Sequence, residues 1–399
     1  MPSHAKCLPS LLAVLALSAC QVSPPQVKPA QTPAAVEATS PQAPRFAAAF
    51  AEVEAWVGRK AFPGAVLAVG VDGKLVALKA FGRQDASPGA PPMPVDAVFD
   101  VASLTKVVAT TTAAALLCDR GLLKLDAPVA QYIPEFAGPP GHAVITVRHL
   151  LSHSSGLPSP MLLWKHAANR DELLKLVYRL PVEREPGTQA VYRDENFILL
   201  GEIVARVSGQ PLDHFLRTNA FEPLGMKDTG FNPPAALLPR IAPTEQDDYF
   251  RHRLLRGSVH DESAHVMGGV GGHAGLFSTA ADLARLAQVM LDRGASDGRS
   301  LLSPQTVDAF LARQNLPPGS SRALGWDTPL GNANAFAGPL ATPDAVMHTG
   351  FTGTSLYIDR SRRAYVVLLT NRVNPTRDNR LIGPARIAIH SAVLSALDG

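Results

Sequence analysis

Hydrophobic residues recur along this chain with two different periods, and the change of period marks its organisation. Phe46, Phe50, Val53 and Val57 fall at helical spacing within Arg45–Val57, which predicts a first amphipathic helix. Two β-rich runs follow, Ala65–Val71 and Leu75–Phe81, and the Asp72-Gly73 pair between them suits a two-residue hairpin turn. A second hairpin is predicted towards the C-terminal end, from Thr354–Ile358 and Ala364–Thr370 around a turn at Asp359–Arg362. A helix then covers Leu381–Leu397. The long middle, roughly 103–310, reads as mainly helical with Pro- and Gly-rich loops, with helices at Thr105–Cys118, Asn196–Val207, Leu212–Thr218 and Ala280–Leu291. Strands at both ends and helices between them predict an α+β fold. One antiparallel sheet is built from both termini and flanked by helices, with a mostly helical region inserted.

The first residues carry a different signal. His4 and Lys6 precede an apolar run, Leu8–Leu17, which is too short to cross a bilayer and reads as the core of a signal peptide. The run ends in Leu17-Ser18-Ala19-Cys20, a bacterial lipobox, so residues 1–20 are expected to be a lipoprotein signal peptide with lipid attached to Cys20. Such a lipid anchors a chain to a membrane leaflet without spanning it. Gln21 after the cysteine, rather than Asp, favours the periplasmic face of the outer membrane over the inner one in a Gram-negative envelope. Residues 21–44 hold six prolines, Pro24, Pro25, Pro29, Pro33, Pro41 and Pro44, and read as an extended tether. The folded domain is then expected over 45–399. Cys7 leaves with the signal, so Cys118 stands alone without a disulfide partner, and its Ala/Leu surroundings suit a small core residue.

Composition narrows the choice of partner. Of 399 residues, 46% are hydrophobic and 18% charged, enough for a large buried core. The formal net charge is +3, with Lys and Arg scattered along the chain. No basic stripe or nucleic-acid reading motif is present, which leaves a small molecule or peptide as the expected substrate. A monomer is expected.

Three segments carry chemistry. Ser103-Leu104-Thr105-Lys106 opens an apolar helix, and the spacing puts hydroxyl and ammonium one turn apart on one face. A serine hydroxyl needs an adjacent base, and a lysine in a buried setting can serve. The helix N-terminus adds N–H groups that favour developing negative charge. By itself the S-x-x-K pattern also fits an N-cap serine beside a surface lysine. Tyr192, after the Pro186-Gly187 turn and just before a helix, can supply a phenol as a second proton carrier. His348-Thr349-Gly350 leads into the Thr354–Ile358 strand, and glycine there lets substrate approach an edge where a backbone N–H completes an oxyanion hole.

On these residues the chain resembles the serine β-lactamase and penicillin-binding-protein superfamily, above all class C β-lactamases and their carboxypeptidase and S-x-x-K esterase relatives. The resemblance runs over nearly all of residues 46–395. Its blocks are Phe99–Lys106, Ile145–Pro158, Tyr192-Arg193-Asp194, Phe221–Met226, Gly272–Thr279 and His348-Thr349-Gly350. It implies the β-lactamase/transpeptidase-like fold, with Ser103 as nucleophile, Lys106 moving its proton, and Tyr192 protonating the leaving group and later activating water. The N–H groups of Ser103 and Phe351 are implied as the oxyanion hole. Asp194, His273, His348, Thr349 and Gly350 are implied on the substrate side. No metal or organic cofactor is implied.

Two departures from the family pattern matter. Asp194 stands where relatives often have Asn, and a carboxylate there helps keep Lys106 protonated and repels anionic substrates. His348 stands where many have Lys. An imidazole titrates near neutrality, so activity on carboxylate-bearing substrates is expected to fall from mildly acidic to mildly alkaline pH. The expected function is D-alanyl-D-alanine carboxypeptidase-like amidase or esterase action on cell-wall peptides through an acyl-serine. A small-ester carboxylesterase or class C type β-lactamase is the alternative, and a slow penicillin- or muropeptide-binding module the non-enzyme rival. His149 and His153 sit at a zinc-compatible spacing but lack the intervening Glu of a zinc protease, so a structural role is preferred. His260, Asp261, His265 and His273 lie in a glycine-rich stretch where packing or a substrate-side loop is preferred to a metal. No G-x-S-x-G elbow is present.

Overall fold

The structure, a computed structural model, describes residues 1–2, 43–158, 162–296, 299–330 and 336–399. Residues 3–20 of the predicted signal segment, Cys20 among them, and nearly all of the Pro-rich tether lie outside the described residues. No described helix is long and apolar enough to cross a membrane.

The first helix, α1 (Ala47–Gly58), leads into β1 (Gly64–Val71) and β2 (Lys74–Gly82). The turn between the strands puts Asp72 and Gly73 both at positive φ, 48° and 79°, as a type I′ hairpin requires. From the other end of the chain come β6 (Val346–Thr349), β7 (Ser355–Asp359), β8 (Ala364–Thr370) and α5 (Ile382–Asp398). The strands join in one antiparallel sheet of order β6-β7-β8-β1-β2, with Leu67 opposite Leu368 at the seam between the two ends. The sheet from both termini is as expected. His348 and Thr349, however, belong to a strand of their own at its edge rather than to a lead-in.

Alternation along β1 and β8 separates two cores. Ala65, Leu67, Val69, Val366 and Leu368 face α1 and α5, while Val66, Ala68, Val367 and Leu369 face the inserted helical region. With both faces covered, β1 and β8 read as unbroken apolar runs. In the inserted region the first apolar helix begins with a π-helical turn, Lys106–Thr111, before α2 (Thr112–Asp119). Next come α3 (Asp194–Ser208) and α4 (Ala280–Leu291), the latter lying across β1 and β8. Three very short strands escape the hydrophobic pattern: β3 (Phe99–Asp100), β4 (Gly230–Phe231) and β5 (Leu276–Ser278), which form a second small sheet. Cys118 packs against the larger core, and burial pushes its thiol up to about 12, which leaves it unreactive.

The glycine-rich stretch before β5 passes directly against α3. A Cβ on Gly272 would run into the Phe197 carbonyl and lie 2.9 Å from the Gly201 Cα, and Thr110 Oγ1 donates to the Gly272 carbonyl at 2.6 Å. Gly230 has open space around its Cα. Thermal unfolding is therefore expected to show Gly272→Ala destabilised by about 1–3 kcal/mol. Gly230→Ala should stay within about 0.5 kcal/mol of the parent. Equal stability of the two would remove the close-approach argument.

Candidate active site

The serine sits on a strained turn. β3 ends at Asp100, and Ala102, at φ 48°, occupies the left-handed region that costs a non-glycine residue on the order of 1 kcal/mol. The buried Asp100 carboxylate holds this shape, accepting from the Ala102 N–H at 2.8 Å and the His260 N–H at 2.7 Å. Two threonines tie the turn to the β6–β7 connection: Thr352 Oγ1 donates to the Asp100 carbonyl at 2.7 Å and Thr354 Oγ1 to the Val101 carbonyl at 3.0 Å. Gly350 is required at this junction, because a Cβ would strike both the Thr354 hydroxyl and the Val101 carbonyl. The backbone that carries Ser103 and the backbone that carries Phe351 are thus held as one unit.

Lys106, one helical turn on, has no exposed surface. Its Nζ donates to Ser103 Oγ at 3.1 Å and to the His273 carbonyl at 2.9 Å, and lies 2.6 Å from Asp194 Oδ1. Burial alone would push the ammonium towards neutrality, but the Asp194 carboxylate, with a further contribution from Tyr192, more than offsets this and raises its pKa. The Tyr192 hydroxyl is within hydrogen-bonding reach of both Lys106 and Ser103, and burial raises it above the usual phenol value against the pull of Lys106. At rest the site therefore holds an ammonium, a neutral phenol and a neutral serine hydroxyl.

His153, a structural residue by its spacing, packs against Tyr192 with ring centroids 4.6 Å apart and planes tilted by 36°. Its tautomer follows from the hydrogen bonds. The Ser155 hydroxyl accepts from the Leu157 N–H at 3.2 Å and donates to Asn196 Oδ1 at 2.6 Å, so the Asn196 amide turns its Nδ2 towards His153 Nδ1 at 3.3 Å. The Arg193 N–H also donates to that Nδ1 at 3.2 Å, which leaves the proton on Nε2. Burial holds this imidazole well below its ordinary pKa, so Tyr192 rests on a neutral ring.

Ser103, Tyr192, His348, Thr349, Gly350 and Phe351 open onto one cavity of about 710 Å³. Phe351, 44% exposed, stands at its wall with the Arg372 guanidinium 4.3 Å from its ring centroid. Two sequence expectations need correction. Asp194 and His273 are not on the cavity wall among the described residues: Asp194 is the counter-ion of Lys106, and His273 is buried with Nε2 2.9 Å from Asp261 Oδ1, offering the lysine only its carbonyl. Nor does His348 titrate near neutrality. Burial, with Lys106 and Arg322 nearby, pushes it down to about 3, so it is a neutral imidazole and the expected loss of carboxylate binding with rising pH has no basis.

Positive charge enters the cavity from residues that no motif marked: Arg322, Arg372, Arg380 and Arg386 all line it. Arg322 lies over the Tyr192 ring, 5.6 Å from its centroid, with Asp327 3.6 Å away. Isolated arginines carry no sequence signal, and only the return of the chain through β6–β8 and α5 gathers them. His260, in the glycine-rich stretch, is occupied by Glu245 at 3.0 Å.

A serine on a strained turn, a buried lysine one helical turn on and a tyrosine touching both define an active-serine hydrolase built on the β-lactamase/transpeptidase-like fold. Residues 46–390 match the Beta-lactamase family model, and the chain belongs to that family. It is 35% identical over 343 residues to an N-acetylmuramyl-L-alanine amidase of Bacillus subtilis (strain 168), covering 78% of this chain and 77% of that one. It is 34% identical over 359 residues to an Escherichia coli (strain K12) protein named as a D-alanyl-D-alanine carboxypeptidase, covering 80% and 82%. A penicillin-binding protein homolog from Caulobacter crescentus superposes with a TM-score of 0.71 at 25% identity, over 88% of this chain and 97% of that one. A hydrolase with promiscuous acyltransferase activity, EstCE1, also reaches 0.71, and at 22% identity it shows the fold alone.

The charge state of the site sets its pH dependence. Generating a base at Ser103 requires the Lys106–Tyr192 pair to lose one proton, and both groups sit above their ordinary values. The rate of Ser103 labelling by a fluorophosphonate is therefore expected to rise from neutral into alkaline pH. In Asp194→Asn the burial of Lys106 is opposed by less negative charge, its pKa falls, and the rising limb should move to lower pH by about one unit. A limb that stays in place would show that Asp194 does not set the lysine's charge.

Proposed function

We propose that the chain hydrolyses cell-wall peptides as a D-alanyl-D-alanine carboxypeptidase-like amidase/esterase, through an acyl-serine at Ser103. The observation that carries this reading is a Ser103–Lys106–Tyr192 cluster at a cavity whose wall holds four arginines against one carboxylate, Asp327, with Arg322 beside Tyr192. A substrate ending in a carboxylate one residue beyond the cleaved bond suits that wall. The names of the Bacillus subtilis and Escherichia coli relatives, an amidase and a carboxypeptidase, support the same reading.

In this scheme the Lys106–Tyr192 pair, having lost one proton, takes the Ser103 proton as Oγ bonds to the scissile carbonyl carbon. The oxyanion is held by the N–H groups of Ser103 and Phe351, whose backbones the Thr352 and Thr354 hydroxyls fix relative to each other. The pair returns the proton to the leaving nitrogen as the C–N bond breaks. Tyr192 then draws a proton from water, which attacks the acyl carbon, and the proton returns to Ser103 as the ester breaks. The lipid anchor belongs to the same proposal: a lipid on Cys20 and a Pro-rich tether over residues 21–44 would let a monomeric domain reach peptidoglycan from the periplasmic face of the outer membrane.

Intact-mass spectrometry after exposure to a penicillin and to a fluorophosphonate tests the chemistry. Wild type is expected to gain a single adduct that Ser103→Ala lacks, and an unmodified wild type would remove the acyl-enzyme. Relative turnover of a D-Ala-D-Ala peptide, p-nitrophenyl esters and nitrocefin separates peptidase, esterase and β-lactamase. Arg322→Gln is expected to raise KM for the peptide about tenfold, with a neutral ester nearly unaffected, as for loss of one charge-assisted hydrogen bond. Equal effects on both substrates would move the carboxylate elsewhere. For the anchor, Cys20→Ser should shift the protein from the membrane to the soluble fraction, and retention in the membrane would refute lipidation there.

A further inference from the structure

The arginines around the cavity divide into two groups. Arg322 lies by Tyr192 and has Asp327 for company. Arg372, Arg380 and Arg386 gather where the Gly350–Phe351 turn meets the approach to α5, and among the described residues none of the three has a carboxylate within ion-pair distance. Carbonyls hold two of them instead. Arg386 Nη2 donates to the Gly350 carbonyl at 2.6 Å and the Thr354 carbonyl at 2.9 Å. Arg372 donates from Nε to the Phe351 carbonyl at 2.7 Å and from Nη1 to the Asn379 carbonyl at 2.8 Å. The acidic group nearest in charge, Glu245, is committed to Arg377 at 2.6 Å and His260 at 3.0 Å.

This arrangement is poor as pure architecture. Arg372 is buried and Arg386 half-buried, with only Arg380 exposed; like charges drawn partly out of water repel, and a structural cluster of this kind is normally interleaved with carboxylates. Burial and the neighbouring guanidiniums push Arg386 down to about 9 and Arg372 to about 10. Arg386 also keeps a buried Nε without an acceptor among the described residues, in a side chain that lines the cavity. A buried donor left open costs roughly 1–3 kcal/mol, so the side chain is held there at a cost to stability. A planar guanidinium is suited to carboxylate, and several together can hold one that a single lysine would hold only as a point charge.

We propose that Arg372, Arg380 and Arg386 form a second anion subsite of the Ser103 cavity, which takes a side-chain carboxylate of the peptide being cleaved. The preferred substrate is then a peptide with two carboxylates: a C-terminal one at Arg322 and an internal one at the three arginines. This rests on the peptide-hydrolase reading above and narrows it.

Binding is measured calorimetrically on the Ser103→Ala protein, which cannot turn substrate over. The ligands are two peptides ending in D-Ala-D-Ala that differ only in glutamate against glutamine at the preceding side. The glutamate peptide is expected to bind about tenfold more tightly, and the preference should shrink to about twofold in Ser103→Ala/Arg380→Gln, at an exposed position that folding tolerates. Arg386→Gln should shrink it as well. Raising the salt concentration should erode the preference in the parent more than in the variants. Equal binding of the two peptides overturns the subsite, and so does a preference that survives both substitutions. Binding of inorganic phosphate without a glutamate preference overturns the assignment to a peptide carboxylate. Turnover by wild type is read separately: if neither peptide is cleaved, the peptidase reading fails while a glutamate preference in binding still stands.

Discussion

Lys106 carries a positive charge into a position with no exposed surface, and most of what surrounds it can be understood as accommodating that charge. An isolated ammonium moved out of water costs several kcal/mol, and a buried charge persists only where counter-charge and hydrogen-bond acceptors are held in place. Here they come from nearby and from two distant parts of the chain: Ser103 three residues earlier in the same turn, Asp194 at the head of α3, and the His273 carbonyl in the glycine-rich stretch. The Tyr192 and Phe197 rings, 4.9 Å and 5.8 Å from Nζ, complete the shell. Because Asp194 remains 43% exposed, solvent screens the pair, and its worth lies more in fixing the lysine's charge than in raw stability. The close passage of Gly272 against α3 follows from the same requirement, since the backbone that brings the His273 carbonyl to Nζ must run alongside the helix that brings Asp194.

A second constraint is geometric. The Ala102 turn is strained, and strain persists only where neighbouring contacts over-determine it. The Asp100 carboxylate does so from within the turn, and the Thr352 and Thr354 hydroxyls do so from the β6–β7 connection. These two hydroxyls link residues more than 250 positions apart in the chain, which is why the sheet has to be assembled from both termini before the site exists. Arg386 and Arg372 then hold the outer side of the same connection through the Gly350 and Phe351 carbonyls. A residue that supports the turn and faces the cavity can sense ligand and hold geometry together.

What could be read from the chain alone follows the range of the interactions involved. The hairpins at Asp72-Gly73 and Asp359–Arg362 were legible because turn chemistry and period-two alternation are local, and Ser103 with Lys106 because one helical turn is local. Tyr192 and the His348-Thr349-Gly350 segment stood out as candidates from their turn and strand context, but their relation to the serine came only through resemblance, since the fold makes it. Strands of two or three residues, such as β3 and β5, are too short to show any period. The packing of His153 against Tyr192, the retreat of His273 behind Lys106 and the gathering of the four arginines depend on side chains brought together across the whole domain. His348 shows the limit most clearly. Its residue type suggests a titration near neutrality, while burial beside Lys106 and Arg322 removes it.

The neutrality of His348 also settles where pH can act. A lysine at that position would add a permanent cation beside Ser103, and a histidine titrating near pH 6.5 would make that cation conditional. A histidine pushed down to about 3 does neither, so the positive field of the cavity is left to arginines, and even Arg386, lowered to about 9, stays charged through neutrality. The charge of the arginines is therefore constant across the physiological range, and the groups of the site left to titrate are Lys106 and Tyr192, both held above their ordinary values. The two tasks that a single lysine could have mixed, attracting an anion and tuning the local proton affinity, are assigned to separate residues. Separation of this kind lets the cavity wall carry several arginines without driving the proton off Lys106, because the Asp194 carboxylate 2.6 Å from Nζ holds it there.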